Sequence, residues 1–450
     1  MHLPVAFGIV LSASISSVAA QGCPNAFNLA GNWYCSAVKS MAFTDFNFAG
    51  IYNEITGMDS STGTCTSTPK QYSGPLAPLN GEVSWHFRGP LALKQFAFYT
   101  PGSGSSQKRE VKSNFHRRRH DHHHLHSRSY ETSETQEQKR AVGDVVTATI
   151  NGQVVQWVNT WDGGAGSGSD AVAVPPAIPA AIEVDENSHP SIRSRVDSPA
   201  ETAGASASTS GTSWSRQAYY NAQSGESYGL TFLNHNGGQG SGVFDHVFGN
   251  SLSYASSDGC SGSSYPQILE DKMLPDNTEI VIMTDKECTD GSCGTVRPGT
   301  VAFHGFDGAS KVFLVEFSMP MTGKRGFNMD MPAAWILNAQ IPRTLQYGKP
   351  ECSCWKSGCG EWDIHEILDS GNTRGKSTIH GNVSGGSSHF FDRPVDKTMK
   401  MAIVFNGDSS SGHIKVLPDD MNFDTVLDGA TVSGFCSESS EIGSVFRLAS

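Results

Sequence analysis

Gly360-Glu361-Trp362-Asp363-Ile364-His365-Glu366-Ile367-Leu368 places three carboxylates within an otherwise apolar run. Bounded by Gly360 and by Asp369-Ser370-Gly371, the run suits one strand and is short for a helix. Side chains alternate along a strand, so Glu361 and Asp363 share one face and Trp362 and Ile364 the other, which leaves Glu366 with the wrong parity. A β-bulge near Ile364-His365 adds one residue and returns Glu366 to the face of the other two acids. The spacing E-x-D-x-x-E therefore predicts a bulged strand. Regular pairing would push an ionised Glu366 into hydrocarbon, which is strongly unfavourable.

Acids gathered on one face imply a chemistry. The outer glutamates lie ~13 Å apart at Cα, four strand steps, and their side chains can lean over one sugar ring to the ~5–5.5 Å separation of a retaining glycosidase. In that arrangement Glu361 attacks the anomeric carbon, and Glu366 protonates the leaving oxygen and then activates water. Asp363 between them orients the nucleophile, and its charge helps keep Glu366 protonated. The competing reading is a solvated edge strand decorated with acids. The apolar Trp362, Ile364, Ile367 and Leu368 at the intervening positions argue against it.

Nearby residues are candidates for substrate binding. Trp335, in Asp330-Met-Pro-Ala-Ala-Trp-Ile-Leu337, lies about one strand and return upstream, where it can stack on a sugar or pack in the core. His380, in Ser377-Thr-Ile-His380-Gly, has the spacing of the next strand and could bond sugar hydroxyls, and Trp355 is a further stacking candidate. Asn382-Val-Ser is the sole N-glycosylation sequon, expected in a surface loop.

Composition bounds the partners and the compartment. Met1–Ala20 reads as a secretory signal, with an apolar stretch and the small residues Ala19-Ala20 at its end. No other run approaches the ~20 apolar residues needed to span a bilayer, and residues 444–450 carry no lipid-anchor tail. A net charge of −12 argues against nucleic acid, since phosphate binding needs a basic face, and is compatible with an uncharged polysaccharide. Ten cysteines in an exported chain point to disulfides rather than a zinc site at Cys352, Cys354 and Cys359. Three of them lie before residue 66 and seven after 259, so either two thiols stay free or one bridge joins the halves. No cofactor and no metal are called for.

Composition also divides the chain. After the signal (1–20), residues 21–101 read as a small β domain without an evident catalytic group, with alternating runs such as Val83-Ser-Trp-His-Phe87. Residues 102–140 carry six histidines and the pairs Lys108-Arg109 and Lys139-Arg140, and read as a disordered linker with dibasic processing sites. Residues 141–161 hold two strand-type runs around Asn151-Gly152, a hairpin signal. A Ser/Ala/Gly-rich linker (162–213) precedes the main folded segment, 214–450. The fold class is all-β.

The ordered stretches Val312-Phe-Leu-Val-Glu-Phe-Ser-Met, Met331-Pro-Ala-Ala-Trp-Ile-Leu, Gly360-Glu-Trp-Asp-Ile-His-Glu-Ile and Ser377-Thr-Ile-His-Gly resemble glycoside hydrolase family 16. The resemblance implies a C-terminal β-jelly-roll sandwich with its cleft across the concave sheet, assigns Glu361, Asp363 and Glu366 the roles above, and puts His380 on that family's Thr-x-His position. Two departures are the cysteine cluster before Gly360 and Trp362 in place of an aliphatic residue. With the signal, the stretch His86-Phe-Arg-Gly-Pro-Leu-Ala-Leu-Lys-Gln-Phe96 and the Ser-rich middle, most of the chain resembles the fungal target-of-SBF cell-wall proteins, described as glucan endo-1,3-β-glucosidases. That likeness implies an extracellular wall enzyme acting on β-1,3-glucan, with covalent or non-covalent association with the wall. Rival readings are a wall transglycosylase using the same residues and a structural protein that binds glucan without cutting it.

Overall fold

The computed structural model describes Cys23, residues 26–102, the strands Val145–Ile150 and Gln153–Val158, and residues 213–289, 291–437 and 443–448. The expected signal, the dibasic pairs with the histidine tract, and nearly all of the Ser/Ala/Gly-rich stretch lie outside the described residues. Val145–Ile150 and Gln153–Val158 are strands paired with each other.

Two nine-stranded sheets make the all-β sandwich. One runs, in spatial order, through Glu226–Tyr228, Trp214–Asn221, Ala92–Pro101, Lys311–Ser318, Met399–Asn406, Ser411–Leu417, Ser40–Thr44 and Gly443–Arg447, with Val426–Leu427 paired beside Trp214–Asn221. The other runs through Gly262–Ser263, Ser253–Ala255, Thr231–Asn234, Glu279–Met283, Val83–Arg88, Ala333–Asn338, Glu361–Ile367, Arg374–His380 and Phe391–Asp392. Almost all pairing is antiparallel; Gly443–Arg447 joins Ser40–Thr44 in parallel.

Alternation explains the core. Trp85 and Phe87 point from the second sheet toward the first, where Trp85 meets Phe96 and Phe313 edge-on at 5.9 and 5.4 Å between ring centroids. Trp362 enters the same layer and meets Phe43 and Phe405 at 5.3 and 5.2 Å. The first sheet is buried on its outer face too. There Val312, Leu314, Ala97 and Tyr99 pack under the helix Gly429–Cys436 through Val432 and Phe435.

Residues 21–101 are a β region, and the structure adds where its strands go. Ala92–Pro101 is hydrogen-bonded between Trp214–Asn221 and Lys311–Ser318, and Val83–Arg88 between Glu279–Met283 and Ala333–Asn338. These strands occupy sheet interiors, with every partner drawn from beyond residue 213. An apolar strand leaves a row of unpaired backbone groups on each side, and only the later segments supply strands to satisfy them.

Outside the sheets, Asn47–Asp59 and Thr64–Pro75 form a long two-stranded ribbon. Cys65–Cys352 ties it to the turn preceding Gly360, and the Asn53 amide donates to Ser357 Oγ at 2.9 Å. The remaining bridges are Cys23–Cys35, Cys288–Cys293 and Cys354–Cys359, with Cys260 and Cys436 free. One bridge thus joins the halves while two thiols also stay unpaired. No helix among the described residues is long and apolar enough to cross a membrane.

Candidate active site

The acidic strand is bulged. Against Ala333–Asn338 its register jumps from Trp335↔Asp363 to Ala334↔His365, and against Arg374–His380 it slips between Asp363 and Glu366. Ile364 is the extra residue. Trp362, Ile364 and Ile367 lie in the core, while Glu361, Asp363 and Glu366 line one cleft of about 500 Å³. Two glycines accommodate this arrangement. A Cβ on Gly375 would lie 2.2 Å from the His365 ring, and one on Gly412 would lie 2.5 Å from Trp362, so both side chains need a bare backbone opposite them.

Register sets three rows across the cleft floor. Arg88, Ala333, Glu366 and Lys376 form one; His86, Trp335, Asp363 and Thr378 the next; Ser84, Leu337, Glu361 and His380 the third. The structure thereby brings together all three predicted acids with Trp335, His380 and Trp355. Trp335 serves both readings of it. Its ring lines the cleft yet is 5 % exposed, stacked on His86 at 5.2 Å. Trp355, about half exposed in the turn Cys354–Ser357, donates its indole N–H to a Glu361 carboxylate oxygen. His380 Nε2 donates to Asp363 Oδ2 at 2.9 Å, so that nitrogen is engaged within the protein. Asn382 is exposed as expected, and its amide donates to Ile51 O at 2.9 Å and to Tyr72 Oη at 3.1 Å on the ribbon.

Sequence reasoning missed Arg88. It comes from the region read as lacking a catalytic group, and its guanidinium donates to Glu366 Oε1 at 3.2 Å and to Met331 O at 3.0 Å, 5.7 Å from the Trp335 ring centre. An arginine in an alternating strand carries no local mark of its partner; only the pairing of Val83–Arg88 with Ala333–Asn338 reveals it. Also missed was Glu279, which accepts from His86 Nδ1 at 2.8 Å, from Gln346 at 2.9 Å and from the hydroxyl of Tyr347, a cleft-lining residue.

Electrostatics follow from burial. Desolvation, reinforced by the Asp363 charge, pushes the Glu361 carboxyl up to about 8 and that of Glu366 up to about 7; His380 pulls against both shifts, and Arg88 against the second. The pair therefore retains a proton near neutral pH, which an isolated carboxyl would not. His380 is raised to about 9 by its bond to Asp363, against the opposing effect of burial, and stays charged there. Glu279 lies the other way. Burial opposes its charge, but the bond from His86, the His235 and His86 rings and the Tyr347 hydroxyl hold it down at about 2.

One cluster of metal-ligand types occurs among the described residues, Glu82, Cys293 and His304. Cys293 is bridged to Cys288, and Glu82 is already bonded to His304, Arg343 and the Gly305 amide, which leaves no ligand set for an ion.

Residues 212–435 match the family described as cell wall protein YJL171C/Tos1, C-terminal, and residues 39–101 match its N-terminal counterpart. The chain is 42 % identical, over the full length of both, to an Arthroderma benhamiae protein named probable circularly permuted 1,3-beta-glucanase. It is 38 % identical to the probable circularly permuted 1,3-beta-glucanase TOS1 of Candida albicans, covering 97 % of this chain and 98 % of that one. Against the Saccharomyces cerevisiae protein of the same name, identity is 37 % over 91 % and 92 % of the two chains. No solved structure matches the chain.

Proposed function

Since the chain belongs to the YJL171C/Tos1 cell wall protein family, we propose that it is an exported cell-wall enzyme that cleaves β-1,3-glucan internally with retention of configuration. The observation that carries this reading is one bulged strand presenting Glu361, Asp363 and Glu366 to a single cleft that Trp335 and Trp355 also line. The printed names of the relatives support the substrate class.

Glu361 is the nucleophile. Its anion is favoured by the Trp355 N–H and by the charge of His380 nearby. Before substrate binds, Glu361 holds the shared proton more tightly, about 8 against about 7, so the reactive form is the one in which it has passed to Glu366; from there it goes to the departing glycosidic oxygen as the Glu361 anion bonds to the anomeric carbon. Glu366, now ionised beside Arg88, takes a proton from the incoming water, which displaces Glu361 with a second inversion. Asp363, held by His380 and by its place between the glutamates, keeps the nucleophile in line and discourages a second negative charge on Glu366. Trp355, about half exposed, offers an aromatic face to the C–H surface of a sugar ring, while Trp335, 5 % exposed and stacked on His86, lines the cleft.

Product analysis on laminari-oligosaccharides, comparing the native chain with Glu361→Gln, tests the activity. Shorter oligomers from the native chain alone support a hydrolase; longer ones indicate a transferase, and unaltered sugar with retained binding a wall lectin. Azide tests the roles. Added to Glu361→Ala it should give the α-glycosyl azide, and a β-azide from that variant would exchange the two assignments.

A further inference from the structure

A second cavity, of about 510 Å³, lies against the ribbon. Its volume falls in the ~300–1,000 Å³ range of small-molecule sites. Tyr52, Leu337 and Ile341 pack in one apolar cluster; Leu337 and Ile341 line the acidic cleft and Tyr52 lines the second cavity, so this cluster partitions the two.

The cavity wall is polar but electrically closed. Its four charged residues are paired with one another, Glu54 with Lys70 and Glu82 with Arg343, so no ionic ligand is demanded. Two hydrogen-bonding atoms are left over. Arg343 is 2 % exposed, and its Nε has no partner; Gln340 Oε1 is buried and likewise without one, although the other end of that amide donates to Glu54 at 2.7 Å. A buried donor and a buried acceptor left unpaired are each unfavourable, and a hydroxyl satisfies both kinds. Tyr52 and Tyr72 add two rings stacked at 6.1 Å and 29°, giving an aromatic wall beside those polar atoms.

We propose that this cavity is an accessory, non-hydrolytic site for a neutral glycan segment, holding the polymer while the acidic cleft acts on it. No carboxylate of the cavity is free to serve as acid or nucleophile, since Glu54 and Glu82 are both committed to cations. That the glycan is β-1,3-glucan rests on the functional reading above; the wall chemistry requires only an uncharged polyol.

The test uses the full chain with Glu361→Gln, so that polymer is bound and not consumed, and measures co-sedimentation with insoluble β-1,3-glucan. Ser73→Arg, at an exposed position on the cavity wall, fills its mouth without removing a side-chain partner; Tyr72→Ala removes one ring. Each should weaken polymer binding by about tenfold. In the chain with Glu361 intact, Ser73→Arg should leave turnover of a short laminari-oligosaccharide unchanged. Undiminished polymer binding by both variants overturns the proposal. A loss of polymer binding in chains that never cleave any oligosaccharide supports the cavity while removing the enzymatic reading, so the two failures are separable.

Discussion

Glu366 shares its environment with a cation that the other glutamate lacks, and that asymmetry is measurable. Arg88 favours the Glu366 anion, so removing it lets the carboxyl rise further from about 7. In Arg88→Leu the alkaline limb of the kcat/KM profile, which reports loss of the acid's proton, should move up by about one pH unit. An unmoved limb would assign that ionisation elsewhere. Glu361 predicts a stability effect with a definite sign. Its folded pKa of about 8 lies above the ordinary 4.5, so its contribution is fully present below pH 4.5 and is lost as the pH rises through 8. Replacing it by glutamine abolishes that loss. Relative to the native chain, the melting temperature of Glu361→Gln should gain ~2 °C or more on going from pH 4.5 to pH 8, and calorimetry at the two pH values checks this.

The bulged strand succeeds as an element because its two faces are served separately. One extra residue at Ile364 restores parity for Glu366 and leaves Trp362, Ile364 and Ile367 in the core. The E-x-D-x-x-E spacing made this legible, since parity along a strand is a local property. What it could not reveal is the space opposite. Gly412, on the facing sheet, lets the Trp362 indole lie against bare backbone, and a methyl there has nowhere to go in a close-packed interior. Gly412→Ala should therefore cost ~1–3 kcal/mol in urea unfolding. It should also lower activity, because a displaced Trp362 shifts the acids that flank it. The buried pair Arg393–Asp330, with both side chains fully inaccessible, holds the approach to Ala333–Asn338 in a comparable way. No carboxylate pattern in the sequence distinguished that aspartate from a surface one.

At the scale of the whole molecule, segments distant in the chain are interleaved. The strands Ser40–Thr44, Val83–Arg88 and Ala92–Pro101 lie inside sheets otherwise built from residues beyond 213, and Cys65–Cys352 locks the two sets together. Cleavage between them should not separate them. Chain cut at Lys108-Arg109 or Lys139-Arg140 should run as one species without reductant, resolve into two with it, and keep its activity while unreduced. Two species before reduction would contradict the bridge. Expressed alone, residues 214–450 would lack three interior strands and should not fold, because unpaired backbone and apolar faces would remain open on both sheets.

Local regularities carried the all-β class, the bulge and the common face of the three acids, because side-chain alternation, glycine boundaries and the parity of an acidic spacing act over a few residues. Which strand lies beside which, and so the arrival of Arg88 at Glu366 and the pairing of Cys65 with Cys352, emerged only on folding. Those contacts join residues up to 287 positions apart. Sheet hydrogen bonds are chemically alike at every strand edge, so the partner is chosen by how all the apolar faces close together.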